Sequence, residues 1–489
     1  MTANQSLTYL QSGAIANMKS TIGSIKGRFI GNTVRSDYTG SLSVGAAIYN
    51  NEGVVNDVGT ASEHALFLNN SLISTNKDAS GSAILNAAST ITNVYGDFIG
   101  NSAESAGGSG VDATGAVMVN PDSAISHLTG NFINNSVTIP TGCAWYTGGA
   151  AVMADSGTIN IYDSTFVRNI VNAANGAGSA LVNNAGTVSV TDSVFYNNIN
   201  SSNSMGAISV TGGSITLNAV NEDIIFYGNK GNGVYRDANS DTSGIVNLNA
   251  KTGNQIRFGG IFTNGGTLNI NNNSTNKGGE YIFNNSLTGG TVNLYNNANV
   301  RFGNVRQTDG SASYGSYNAT ATTNDANGGY MNFANYNTTD FQKFGALTLG
   351  SDLKVGIDFD LGTPNQDGLQ ASSVTANGHK VLIDYINAYN PSPSETIGTS
   401  YTYPSNWLSD NLKPVIALSD ALKINSAYEW DGYSASYDSA TGNLTLTKVG
   451  TGSENLAGFL HNDDGSDTYA AVRNGVTLSL VGEGGVRYE

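Results

Sequence analysis

Three carboxylates fall at matching places in neighbouring stretches of this chain. Asp163 in IYDSTF, Asp192 in VTDSVF and Asp223 in NEDIIF each precede a phenylalanine by three residues. If those stretches stack as strands, the acids lie roughly 5 Å apart. Two carboxylates that close suit glycosidic chemistry, one held protonated by its neighbour while the other attacks. The same placement suits a weak cation site, or a solvated turn ladder in which each Asp bonds nearby backbone. Outward parity beside a turn favours the ladder, with Asp163 and Asp192 kept as candidate binding residues.

A second group is Cys143, Trp145 and Tyr146 in SVTIPTGCAWYTGG (136–149), in a chain with only three tryptophans. Exposed aromatics stack on sugar rings or anchor protein partners, so Trp145 and Tyr146 are binding candidates; the bland alternative is Trp145 folded down as a cover. The string ADSGT (154–158) resembles a serine-protease motif in letters only, since it falls where another copy has NNAGT (183–187), a corner. His64, His127, His379 and His461 show no triad spacing, and His127 is expected to face solvent. No Cys/His spacing fits zinc and the glycines recur with the repeat, so no cofactor, metal or catalytic residue is expected.

What positions these residues is a repeat. Phe-x-x-Asn occurs at Phe29, Phe67, Phe98, Phe132, Phe166, Phe195 and Phe226, at intervals of 38, 31, 34, 34, 29 and 31 residues. Small-residue turns with an apolar pair precede these copies, as in GAIAN (13–17), SAILN (82–86), AAVMA (150–154) and SALVN (179–183). From Ala to Phe the distance is nearly constant, so length varies mainly between Asn and the next Ala. A fixed period of this size is the mark of a solenoid.

Residues 178–198 show three short apolar stretches separated by Asn, Gly and Asp turns, with period-two alternation in Thr187-Val188-Ser189-Val190. Three strands per repeat predict an all-β, right-handed parallel β-helix of the pectin-lyase-like kind. Phe would stack inward and Asn form an internal ladder. The expected layout is a β-helix over 1–306, with Phe-x-x-Asn coils to about 245 and shorter ones after. A polar loop or linker over 307–329 follows, then a less regular β segment over 330–450 packed on the helix end. Residues 451–489 read as the start of further, truncated repeats.

Composition narrows the function. Charged residues make up 12% and Pro only 7 positions against 61 Gly, which suits short strands and tight turns. A formal charge of −16 with 21 scattered Lys and Arg argues against nucleic acid and anionic lipid. The single cysteine permits no intrachain disulfide, and no apolar run is long enough for a helical membrane span. The N-terminus has no basic stretch leading into an apolar one, and an array that begins by residue 13 reads as a piece of a longer protein.

The pairing of Gly-Gly-Ala-aliphatic with Phe-x-x-Asn is best seen in GGAAV (148–152) with FVRN (166–169) and in GSAL (178–181) with FYNN (195–198). It resembles the repeats of chlamydial polymorphic membrane proteins and related type V autotransporter passengers. Residues 347–373 also resemble passenger segments beyond the β-helix in such proteins. The resemblance implies an adhesin-like, non-enzymatic display scaffold on the bacterial surface or secreted. Its partner would be a host or neighbouring-cell surface protein or glycan, with self-association among the contacts. The competing expectations are a β-helix polysaccharide lyase or glycoside hydrolase, and a phage tailspike-like receptor-binding protein.

Overall fold

The computed structural model describes residues 2–3, 9–11, 13–36, 42–75, 78–105, 113–139, 148–173, 176–201, 205–338, 341–363, 365–390, 396–426, 431–451, 468–473, 476–481 and 486–488. One coil serves as the pattern: strands Leu181–Asn183, Thr187–Thr191, Val194–Tyr196 and Ile199–Asn200 form a first, second, third and fourth face. Each pairs in parallel with its counterpart one coil on, Leu181 with Ile208, Thr187 with Ser214, Phe195 with Phe226 and Ile199 with Lys230. The chain is thus a parallel β-helix. Alternate side chains on each strand enter a single apolar core that runs from Ile25 to Leu446.

The fourth face exceeds the three strands expected per coil. Its strands, such as Thr33–Ser36, Ser71–Ser74, Ser102–Ser105 and Ser136–Ile139, occupy the beginning of segments that read as loop excursions. They are short, with only one or two inward apolar residues each, and Val34, Leu72, Ala103, Val137 with Ile139, and Val171 with Ala173 line up in a separate small cluster. One or two inward apolar residues in so short a strand leave too little period-two signal to read.

The repeat motif closes the corner between the third and fourth faces. Phenylalanine rings stack without interruption from Phe29 to Phe333, with centroids 4.5 to 5.7 Å apart. The residue before each asparagine turns the chain with a positive φ, at Gly31, Asn69, Gly100, Asn134, Arg168, Asn197 and Gly228. Asn and Gly take up that conformation at little cost, which is why they dominate the position. Asn32, Asn70, Asn101, Asn135, Asn169, Asn198 and Asn229 then form a ladder, each Nδ2 donating to the next Oδ1 at 2.7 to 3.0 Å. Asn169 illustrates the saturation. Its Nδ2 donates to Asn198 Oδ1 and Phe132 O, while its Oδ1 accepts from Nδ2 and the backbone N–H of Asn135. All four hydrogen-bonding positions of the amide are used.

The ladder ends on Asp237, which is fully buried and accepts from Asn229 Nδ2 and from the Gly260 N–H. Every amide in the stack points its N–H toward this carboxylate, so the aligned dipoles present their positive end to the anion. Burial nevertheless pushes the Asp237 carboxyl up to about 6, against the hydrogen bonds from Asn229 and from the Gly260 and Gly259 backbone that lower it.

Residues 307–329, expected as a loop, instead enter the solenoid. Ser316–Asn318 joins the first face and Thr322–Asp325 the second, pairing with Thr291–Leu294 before it and Ala346–Leu349 after it. The segment hides its strand character because inward positions carry Tyr317, Thr323 and Asp325 rather than aliphatics. Tyr317 Oη meets Thr323 Oγ1 at 2.6 Å, and Thr323 Oγ1 reaches Phe344 O at 2.7 Å, so the buried hydroxyls are satisfied. The parallel sheet continues through Leu353–Asp360 and Val381–Tyr389 to Ile416–Ser426, well past the expected limit at 306. Beyond it, an antiparallel sheet of Ser400–Tyr403, Asp431–Asp438 and Asn443–Thr451 adds Tyr403, Tyr433, Leu444 and Leu446 to the core. Trp407 fills the junction, 6.1 Å edge-on to Phe359, with its Nε1 donating to Gly442 O.

Two outcomes follow from the ladder. Asn169→Ala orphans two donors of Asn135 and two carbonyl-type acceptors, and should lower stability by about 3 kcal/mol, several times what its volume would cost. Hydrogen exchange at the Asn135 amide should rise in parallel. For Asp237, the folded carboxyl titrates near 6 and an unfolded one near 3.8, so the folded state alone holds this proton across that interval. Its contribution makes stability fall as pH rises from about 4 to 6. Thermal melts of Asp237→Asn should show a shallower decline over that window than wild type.

Candidate functional site

The outer surface where the second face turns into the third gathers most of the candidate chemistry. The join differs from coil to coil: the first two break between Thr21–Ile25 and Arg28–Ile30 and between Val54–Val58 and Ala65–Leu68, whereas Thr90–Ile99 and Ala124–Ile133 run straight through as ten-residue strands. In the two coils of Thr158–Tyr162 and Thr187–Thr191 an Asp-Ser turn is inserted. Asp163 and Asp192 hold it with φ of 46° and 50°. Ser164 and Ser193 accept, through Oγ, the backbone N–H of Gly130 and Ser164 one coil earlier, each at 3.1 Å.

The three stacked carboxylates do different work. Asp192 is only 4% exposed, and its oxygens accept the backbone N–H of Val220 at 2.6 Å, that of Asn221 at 3.1 Å and Asn221 Nδ2 at 3.1 Å. Asp223 accepts the backbone N–H and the Nε2 of Gln255 at 2.9 and 3.0 Å. Both therefore fasten the turn of the following coil. Asp163 faces solvent. Its carboxyl lies above the usual range, first through partial burial and then through the Asp192 charge, with His127 pulling it down. A retaining pair needs both carboxylates open to substrate, and here one of the two is spent on backbone.

Sequence reading missed a ring column beside them. His64, Tyr95, His127 and Tyr162 follow one another along the axis with centroids 6.4, 5.1 and 4.7 Å apart. His127, expected to face solvent freely, is half-buried, stacked on Tyr162 at 13° and bonded through Nε2 to Thr129 Oγ1 at 3.0 Å. Asp97 draws in His64 Nδ1 at 3.1 Å and Asn131 Nδ2 at 2.8 Å. The rings precede their coil's Phe by three, five and four residues at Tyr95, His127 and Tyr162, because the column slants across the strands, Asn93 and not Tyr95 being the register partner of His127. A period search on Phe cannot align them.

Trp145 and Tyr146, with Cys143, lie outside the described residues. The flanking elements fix where that segment leaves the solenoid, between Ser136–Ile139 on the fourth face and the Thr114–Gly148 bridge that leads into the first. Among the described residues, no group of three or more His, Cys, Asp or Glu is placed to hold a metal ion. Nor is any helix long and apolar enough to cross a membrane. No family model matches the chain, and no curated protein matches it.

Burial lowers the His127 imidazole below its ordinary 6.5, and the neighbouring Asp163 carboxylate partly restores it. Asp163→Asn removes the restoring charge, so an NMR titration should find His127 charging at a still lower pH than in wild type. An upward shift would mean that the carboxylate does not face the ring.

Proposed function

We propose that this chain is a non-enzymatic display scaffold, an adhesin-like passenger that holds variable loops away from a bacterial surface or is released from it. The observation that carries this reading is where the coils differ in length. Between the fourth face and the following first face, successive coils insert different numbers of residues, from Ser36 to Ile48, Ser74 to Ile84, Ser105 to Val117, Ile139 to Val152, Ala173 to Leu181 and Asn200 to Ile208. The second and third faces meanwhile keep rung-for-rung pairing. The join between the second and third faces also varies, from none in Thr90–Ile99 to the segment between Val58 and Ala65, but the longest insertions recur at the fourth-to-first edge, and long variable insertions gathered along one edge are what display of binding loops requires.

The resemblance of the Gly-Gly-Ala and Phe-x-x-Asn repeats to autotransporter passengers supports the same reading, as does the engagement of Asp192 and Asp223 in backbone rather than in an open acid pair. The partner is a protein or glycan on a host or neighbouring cell, met at the edge that includes Trp145 and Tyr146.

Replacing residues 140–147 with a short Gly-Ser turn should reduce binding of the purified chain to cells while leaving its thermal melt unchanged, because the strands on either side keep their ladders. Release of oligosaccharides from an acidic glycan by the intact chain, abolished by Asp163→Asn, would replace this reading with an enzymatic one.

A further inference from the structure

The outward side of the second face carries two parallel columns of side chains. They run from the rung of Thr158 and Asn160 to that of Ser373 and Thr375, each rung aligned with the next by the strand register. Over these nine rungs neither column contains an Asp, Glu, Lys or Arg, in a chain whose formal charge is −16. In the middle the pattern is strict: Thr267 with Asn269, Thr291 with Asn293, Thr322 with Asn324. The amides form an external ladder, Nδ2 to Oδ1 at 2.9, 2.8 and 2.7 Å from Asn269 to Asn247, Asn293 to Asn269 and Asn324 to Asn293. Each amide nitrogen carries a second N–H that this ladder does not use.

We infer that this face is an interface between two copies of the chain. Three observations select a second copy over another partner. Its rungs repeat at the strand spacing of about 4.8 Å, so another solenoid of the same rise matches every rung at once, whereas an irregular surface matches one or two. A twofold axis parallel to the solenoid axis sets Thr267, Thr291 and Thr322 of one copy, in a column continued by Ile245 and Ala346, opposite Asn269, Asn293 and Asn324 of the other, an isologous contact. Finally, two chains that each carry −16 repel wherever charged surface meets, and a charge-free strip lets them approach without desolvating an ion. Asn ladders and interdigitated Thr are the side chains that dry sheet-to-sheet contacts employ.

The strip is about 38 Å long at the strand rise and about 12 Å wide, so a dimer buries roughly 900 Å² in total, at the low end for a specific contact. The association is accordingly weak and reversible between free chains, and is multiplied by avidity where many copies share a surface. It rests on and deepens the display reading, because copies standing side by side on one surface run in the same direction and would pair through it. Its test uses purified chain in solution, where the loop edge and its ligand play no part.

Sedimentation equilibrium of the intact chain from about 1 to 500 μM should show the average mass rising toward that of a dimer. The rise should be greater at 0.15 M than at 0.01 M salt, where repulsion reaches about 30 Å rather than 8 Å. Thr267→Lys with Thr322→Lys should weaken association at least tenfold with an unchanged melt. Mixing it with the Asn269→Glu, Asn324→Glu variant, whose carboxylates lie opposite those lysines, should restore association between the unlike chains. A constant monomer mass over the whole range, or Lys variants that associate as well as wild type, overturns the inference; loss of cell binding on excision of 140–147 would leave it untouched.

Discussion

The hydrogen bonding of one asparagine per coil is the constraint on which the rest of this structure depends. A β-helix corner turns the backbone away from both adjoining sheets, leaving N–H and C=O groups with no strand partner in a place water cannot reach. An amide side chain with two donors and two acceptor lone pairs closes that deficit completely when its neighbours above and below are also amides. Asn169 does so with partners in the coils before and after it, and its place three residues after Phe166 ties the polar corner to the aromatic column. Neither ladder tolerates a slipped register, since a shift of one residue would send Phe outward and bury the turn residue.

A directional ladder must end somewhere, and the way this one ends shapes the molecule. The final donor, on Asn229, meets the buried Asp237, an acceptor that does not need to donate in turn. Past this point the coils shorten and the internal asparagine corner gives way to a different arrangement. The hairpin of Asn304–Arg306 and Ala312–Tyr314 folds back, with Tyr227 Oη donating to Arg306 O and Tyr235 Oη meeting Thr308 Oγ1. Asp237 is therefore both the end of one coil type and a buried anion held by neutral donors alone, which is why its protonation couples to stability.

The division of labour between inside and outside accounts for the functional reading. Interior columns of Phe, Asn and aliphatics repeat because each rung must fit the next, and Asp192 and Asp223 join that structural set by gripping the following coil. Outer columns are free of that demand, yet they are not random. The ring column from His64 to Tyr162 and the uncharged Thr and Asn strip from Thr158 to Thr375 are both continuous over several coils, because stacking rewards like side chains at the strand spacing. Among the described residues the edge between the fourth and first faces is paired over short stretches, such as Tyr9–Gln11 with Leu42–Val44 and Ala79–Ser80 with Ser43–Val44, so length can change there at small cost.

Sequence alone determined the parallel β-helix, the inward Phe and Asn columns and the edge where length varies, because each depends on a local motif repeated at a fixed offset. It also separated ADSGT from a catalytic motif by register. The fourth face, with one or two inward apolar residues per short strand, was not legible, nor was the coil through 307–329, whose buried Tyr317 and Thr323 rely on partners distant in sequence. Tertiary structure alone decided which of three equivalent-looking aspartates meets solvent, since the donors that occupy Asp192 and Asp223 come from the next coil. It also alone decided the two outer columns: side chains spaced irregularly along the chain become neighbours only when coils stack at 4.8 Å, a distance set by hydrogen bonds between backbones and not by anything written within one repeat.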